Sequence, residues 1–149
     1  MRETERLSEF SKAVRGSSLK RFRNVKPGDE EWRPRSDVLS FVDHLYHLVD
    51  SDYWFFEMLE QGSSTRDGII SPGDAKSEDW KRFLTELENL GKQKAEFLNG
   101  LSDSDLNNPV HDPVYGDTTW WWFIVRHNLD HEIHHRGQLQ VLLRLKYGG

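Results

Sequence analysis

The sequence predicts an all-α fold, a four-helix bundle with a long crossover connection between helices 2 and 3. Apolar residues recur at helical spacing along almost the whole chain, and no Val/Ile-rich alternating run offers a sheet. One long turn-rich connection also falls in the middle of four amphipathic segments, which suits a bundle. At 149 residues the chain has the length of one domain, 1–149. A chain of this size buries roughly 70% of the surface its unfolded form exposes, so it needs no covalent staple.

Leu7, Phe10 and Val14 sit at i, i+3 and i+7 and open the first helix, expected over Leu7–Phe22. Gly16-Ser17-Ser18 weakens its middle. Lys26-Pro27-Gly28-Asp29 is turn chemistry, and Pro34, Ser36 and Asp37 announce a second helix over Val38–Leu59. Its face is marked by Val38, Phe41, Val42, Leu45, Leu48, Val49, Phe56 and Leu59. Gln61–Lys76 carries three Gly, four Ser or Thr and Pro72. That connection is longer than an antiparallel turn needs, and a crossover would leave helices 2 and 3 running the same way. Ser77 can cap a third helix, Glu78–Leu98, with Gly91 a weak point costing about 1 kcal/mol relative to Ala. Gly100–Asp117 holds Pro109, Pro113 and a Tyr115-Gly116-Asp117 turn, with room for a short hairpin. Asp117 or Thr118 then caps the last helix, Thr119–Leu145.

Composition removes several function classes. The chain has no cysteine, which excludes disulfides, zinc fingers, iron–sulfur clusters and thiol nucleophiles. A net charge of −5 argues against nucleic acid or an anionic membrane as the main partner. Met1–Lys20 is charged throughout and gives no apolar core for a signal peptide. The longest aliphatic–aromatic run, Trp120–Val125, is far short of a membrane span. The expected location is cytoplasmic.

Six of the seven histidines fall in two expected helices. Taking His131 as zero on the last helix, His135 lies at about 40° and His127 at about −40°, among Ile124, Leu142 and Trp120. Placing several imidazoles in a core costs about 1–3 kcal/mol for each unsatisfied group. A lone buried His usually satisfies itself by hydrogen bonding, but three on one stripe point to a metal site, with a hydrogen-bonded histidine network as the alternative. His131 and His135, four apart, put their rings roughly 6 Å apart on one side of the helix. The string His131-Glu132-Ile133-His134-His135 also satisfies the zincin signature H-E-x-x-H. No His, Asp or Glu follows His135, and no sheet edge is expected for a peptide, so that reading falls away. Glu132, about 100° from His131, is read as a solvated carboxylate or one set behind the ligands, with a general base as the alternative. In helix 2 the apolar face centres about 100° from His44 and about 160° from His47, so periodicity alone favours His44 as the inward residue.

His47-Leu48-Val49-Asp50-Ser51-Asp52-Tyr53-Trp54, taken with His131-Glu132-Ile133-His134-His135-Arg136-Gly137-Gln138, resembles the DinB-like family. Trp32-Arg33-Pro34 before helix 2 and the order of connections agree, and the likeness runs roughly from Phe22 to Leu145. The resemblance implies a bundle with a crossover, often a homodimer, and a three-histidine metal site whose ligands would be His47, His131 and His135. His44 and His127 do not correspond to ligands, which leaves open whether either enters the metal site. By position His134 reads as a surface or dimer residue and Arg136 as an ion-pair or dimer residue rather than a substrate clamp. The Trp120-Trp121-Trp122 run, spread over about 200° of the helix, reads mainly as packing, the alternative being one ring that lines a pocket. Gly137, inside a helix, asks for close approach of a neighbouring helix. Three neutral imidazoles leave a divalent ion with an open position, and zinc or nickel suits them best, with iron a third option.

Some relatives in that family are thiol S-transferases using low-molecular-weight thiols such as bacillithiol or mycothiol, and others are described as metal-dependent hydrolases. The resemblance therefore implies a metal-dependent thiol S-transferase or hydrolase acting on a small electrophilic substrate. The alternative is a non-catalytic metal-binding or stress-response bundle. Tyr46, Tyr53, Trp54, Phe55 and Phe56 spread round helix 2, a surplus of apolar surface that supports the homodimer expectation.

Overall fold

In the computed structural model, which describes residues 1–148, three helices precede a small hairpin and a fourth follows it. They are α1 (Glu3–Phe22), α2 (Phe41–Gln61) and α3 (Trp80–Gly100). The hairpin pairs β1 (Pro109–Asp112) antiparallel with β2 (Gly116–Thr119), Val110 lying opposite Thr118. The last helix, α4, spans residues 120–147. It begins as an α-turn, Trp120–Phe123, continues as a π-helical stretch, Ile124–Asp130, and ends as the α-helix His131–Tyr147. Among the described residues, no helix is long and apolar enough to cross a membrane.

Side-chain pairings give the helix directions. Thr4 reaches Leu101 and Ser8 reaches Ala95, so α1 and α3 are antiparallel. Arg15 reaches Glu132 and Arg21 reaches Gln140, so α1 and α4 run together. Tyr46 meets Phe83, Asp52 meets Lys94 and Phe55 meets Phe97, so α2 and α3 run together, as a crossover requires. Each of α1 and α2 packs on both α3 and α4.

α1 starts earlier than the sequence expectation, at Glu3 rather than Leu7, and the other three helices start later. α2 begins at Phe41, not Val38, because Ser40 and Asp43 form a reciprocal capping box. Ser77 does not cap α3; a 3₁₀ turn, Ser77–Asp79, precedes it and no side chain caps it. Thr119, not Asp117 or Thr118, caps α4 through its hydroxyl and the Trp122 N–H. Gly16-Ser17-Ser18 leaves α1 unbroken.

Asp43 also anchors the crossover. It is fully buried, and its carboxylate accepts from the backbone N–H groups of Ser40, Gly73 and Ala75 at 2.9, 2.9 and 3.0 Å. Burial alone would raise its pKa, but those three donors hold it below the usual carboxylate range. One side chain thus caps α2 and ties down the end of the long connection.

The apolar core falls into two clusters. One gathers Phe22, Phe41, Leu45, Leu87 and Leu139, and the other Leu7, Phe55, Leu98, Phe123 and Ile124. Between them every helix contributes to a buried polar layer: Arg15 from α1, Asp52 from α2, Lys94 from α3, and Asn128 and Glu132 from α4. Arg15 Nη2 donates to Glu132 at 2.7 Å and to Asp52 at 3.0 Å, and Lys94 Nζ donates to Asp52 at 2.6 Å and also to Asn128. Gly91 has its explanation here, since a Cβ at that position would lie 2.7 Å from Arg15 Cγ. The glycine on α3 makes room for the arginine of α1.

Candidate metal centre

The polar layer lies beside the histidines. Glu132 follows His131 directly, and its buried ion pair with Arg15 fixes the turn of α4 that carries His131 and His135. Antiparallel packing then brings the first half of α2 against this turn. His47 Nε2 lies 3.0 Å from His131 Nε2, which lies 3.1 Å from His135 Nε2. One ring nitrogen from each of the three histidines falls within 4.8 Å of those of the other two. Two nitrogens bound to one tetrahedral zinc at about 2.0–2.1 Å would stand about 3.3 Å apart, close to the spacing found. The donor set therefore fits a divalent ion.

The electrostatics fit as well. Burial, reinforced by the neighbouring imidazoles, lowers the pKa of His131 to about 4 and of His135 to about 2. Burial also lowers that of His47. Neutral imidazole is the ligand form. The sequence left His44 and His47 as competitors for the interior, but both are buried. His47 joins the cluster, whereas His44 Nδ1 lies 3.0 Å from His135 Nδ1, on the far edge of that ring.

His127 does not sit where a uniform helical wheel places it, because the π-helical stretch changes the turn angle just before His131. Its Nε2 is hydrogen-bonded to Asp112 of β1, and its ring packs edge-on to Trp54 with centroids 4.9 Å apart. Asp112 is fully buried, and its Oδ1 accepts from the N–H groups of Val114 and Tyr115 at 2.8 and 3.1 Å. Burial would raise its pKa, but these donors and His127 hold it below the ordinary value. Sequence reasoning missed Asp112, whose only signal was a place in a turn-rich segment. It also missed the polar layer. Thr4, Ser8, Ser11, Arg15 and Ser18 form one buried stripe of α1, a pattern that looks like an ordinary solvated face.

A cleft of about 560 Å³ opens beside the triad, lined in part by His47, His131, Trp54, Met58, Arg66 and His127. Trp120 lies outside it and packs on Phe97, in line with a packing role, while Trp54 gives the cleft an aromatic wall. Glu132 is not solvated; it is buried against Arg15. His134 is exposed beside Gln138, in line with a surface role. Gly137 faces open space, so close helix packing does not explain it, and Arg136 makes no ion pair among the described residues. The aromatic residues of α2 are mostly absorbed by the core and the cleft.

A four-helix bundle that joins three neutral imidazoles from two antiparallel helices fits a metal-binding protein. The sequence pattern of the DinB superfamily matches residues 12–139, and the chain belongs to that superfamily. Two solved structures share the fold. One is a DinB-like protein from Bacillus subtilis, 16% identical, with TM-score 0.72 over 95% of this chain and 91% of that one. The other, a conserved protein from Enterococcus faecalis, is 16% identical with TM-score 0.73 over 100% of this chain and 99% of that one. No curated protein is significantly similar to the chain.

Proposed function

We propose that the chain acts as one cytoplasmic domain, a metal-dependent enzyme that works as a thiol S-transferase or hydrolase on a small electrophilic substrate. The observation that supports this most is that His47 and His131 form part of the cleft wall, so the triad has an open side. A divalent ion there, zinc or nickel before iron, would favour the deprotonated form of a thiol or water bound to it. The chain's own residues supply the rest. His47, His131 and His135 present their Nε2 lone pairs. His127, a residue of the cleft wall, would hold its proton at Nε2 toward the carboxylate of Asp112, which leaves Nδ1 as the ring's proton acceptor. Trp54 gives an electrophile an apolar seat.

The test is conjugation of bacillithiol, mycothiol, glutathione or coenzyme A to an electrophilic probe by the zinc-loaded protein, with an ester-hydrolysis assay alongside. At least one reaction is expected to run well above the uncatalysed rate. It should fall to background in His135→Ala and by about 100-fold in His127→Gln. Background rates in both assays, with zinc bound, would leave a non-catalytic metal-binding bundle.

We further propose a twofold homodimer. Val114, Tyr115, Trp121 and Trp122 are exposed near one end of the bundle, with the Tyr115 and Trp122 rings in contact, and such a patch favours an interface. Light scattering at micromolar concentration should give twice the 17.6 kDa chain mass. A mass of one chain would remove the proposal.

A further inference from the structure

Of the seven histidines, His44 is the most buried of those in contact with the triad and has no place among the three converging nitrogens. Its Nδ1 stands 3.0 Å from Nδ1 of His135, with the rings edge-on and their centroids 5.2 Å apart. Two ring nitrogens at that distance share a single hydrogen, so one donates and the other accepts. The opposite edge of His135 decides which. Its Nε2 faces His131 Nε2 at 3.1 Å, in the cluster that suits an ion. A neutral imidazole that offers Nε2 as a ligand carries its proton on Nδ1. His135 Nδ1–H must then donate, His44 Nδ1 must accept, and the proton of His44 must sit on its own Nε2.

We propose that His44 is a positioning residue for the metal centre, its Nδ1 holding His135 in the tautomer and ring orientation that present Nε2 to the ion. The proposal rests on the triad reading. The same geometry keeps His44 Nδ1 from serving as a fourth ligand, because that atom is engaged on the edge of His135 away from the cluster. Partners of this kind behind metal-bound imidazoles are worth about 10–100-fold in metal affinity.

The test is zinc affinity, measured by chelator competition, for the wild-type protein, His44→Phe and His44→Asn. Phenylalanine keeps an aromatic ring without the acceptor, whereas the Asn side-chain oxygen can stand where Nδ1 stood. His44→Phe should bind one zinc about 10–100-fold more weakly, with its fold retained by circular dichroism, and His44→Asn should recover most of the loss. Nitrogen-15 NMR of the zinc-loaded wild type should show His44 protonated at Nε2 and His135 at Nδ1. This readout stands even if His44→Phe fails to fold. Wild-type affinity in His44→Phe, equal losses in both variants, or a His44 protonated at Nδ1 would overturn the proposal. A wild-type protein that binds no zinc would overturn the triad reading itself, and His44 with it.

Discussion

Lowering the pH from 7 to 5 is expected to destabilise the metal-free protein by at least about 2 kcal/mol. His44 and His131 have pKa values lowered to about 4, and His135 to about 2, chiefly by burial. An unfolded histidine titrates near 6.5. The native pKa values are the depressed ones, so the unfolded chain takes up protons first as pH falls. Stability is full above about 6.5 and is lost steadily below it. One such group, taken alone, removes up to about 2 kcal/mol by pH 5, and neighbouring rings share part of the loss because they also repel one another once charged, against a whole stability of about 5–15 kcal/mol for an ordinary domain. His47, lowered in the same direction, adds to the loss. Urea unfolding in the presence of a chelator measures this, and a stability unchanged between pH 7 and pH 5 would contradict it.

Arg15→Met should be the most damaging single substitution outside the histidines. It leaves Glu132 and Asp52 in the interior with only Lys94 to balance them. Breaking a buried ion pair from one side costs about 3–5 kcal/mol, since the remaining charge keeps its desolvation penalty. Burial works against the Glu132 carboxylate, but Arg15, with help from Lys94, holds its pKa down to about 2. That part of the stability is present above the ordinary value of 4.5 and disappears as pH falls toward 2. The loss in Arg15→Met is read from denaturant midpoints at pH 7. A change below about 1 kcal/mol would mean that the layer is solvated and does not hold the four helices together.

The parts of this molecule that were legible in the sequence are those that depend on period and punctuation. Helical spacing of Leu, Phe and Val placed all four helices, and the Gly- and Ser-rich stretch after Gln61 placed the crossover. The spacing of His131 and His135 marked the centre on α4. Other features depend on what comes opposite in space, which a wheel for one helix does not contain. His47 looked outward by period, yet α4 covers that side of α2 with two further imidazoles. Nothing along α1 marks Arg15, which is enclosed by Gly91 of α3 and Glu132 of α4. The π-helical stretch defeated the wheel for His127, because a fixed 100° step holds only while the hydrogen-bond pattern does.

The central claim is that His47, His131 and His135 hold one divalent ion. Metal analysis of the untagged protein, purified without a nickel column and then titrated with zinc, tests it most directly. One tightly held ion per chain in the wild type, and none in His131→Ala or His135→Ala, is the result expected. No stoichiometric ion in the wild type, or an ion retained undiminished by both variants, would contradict it.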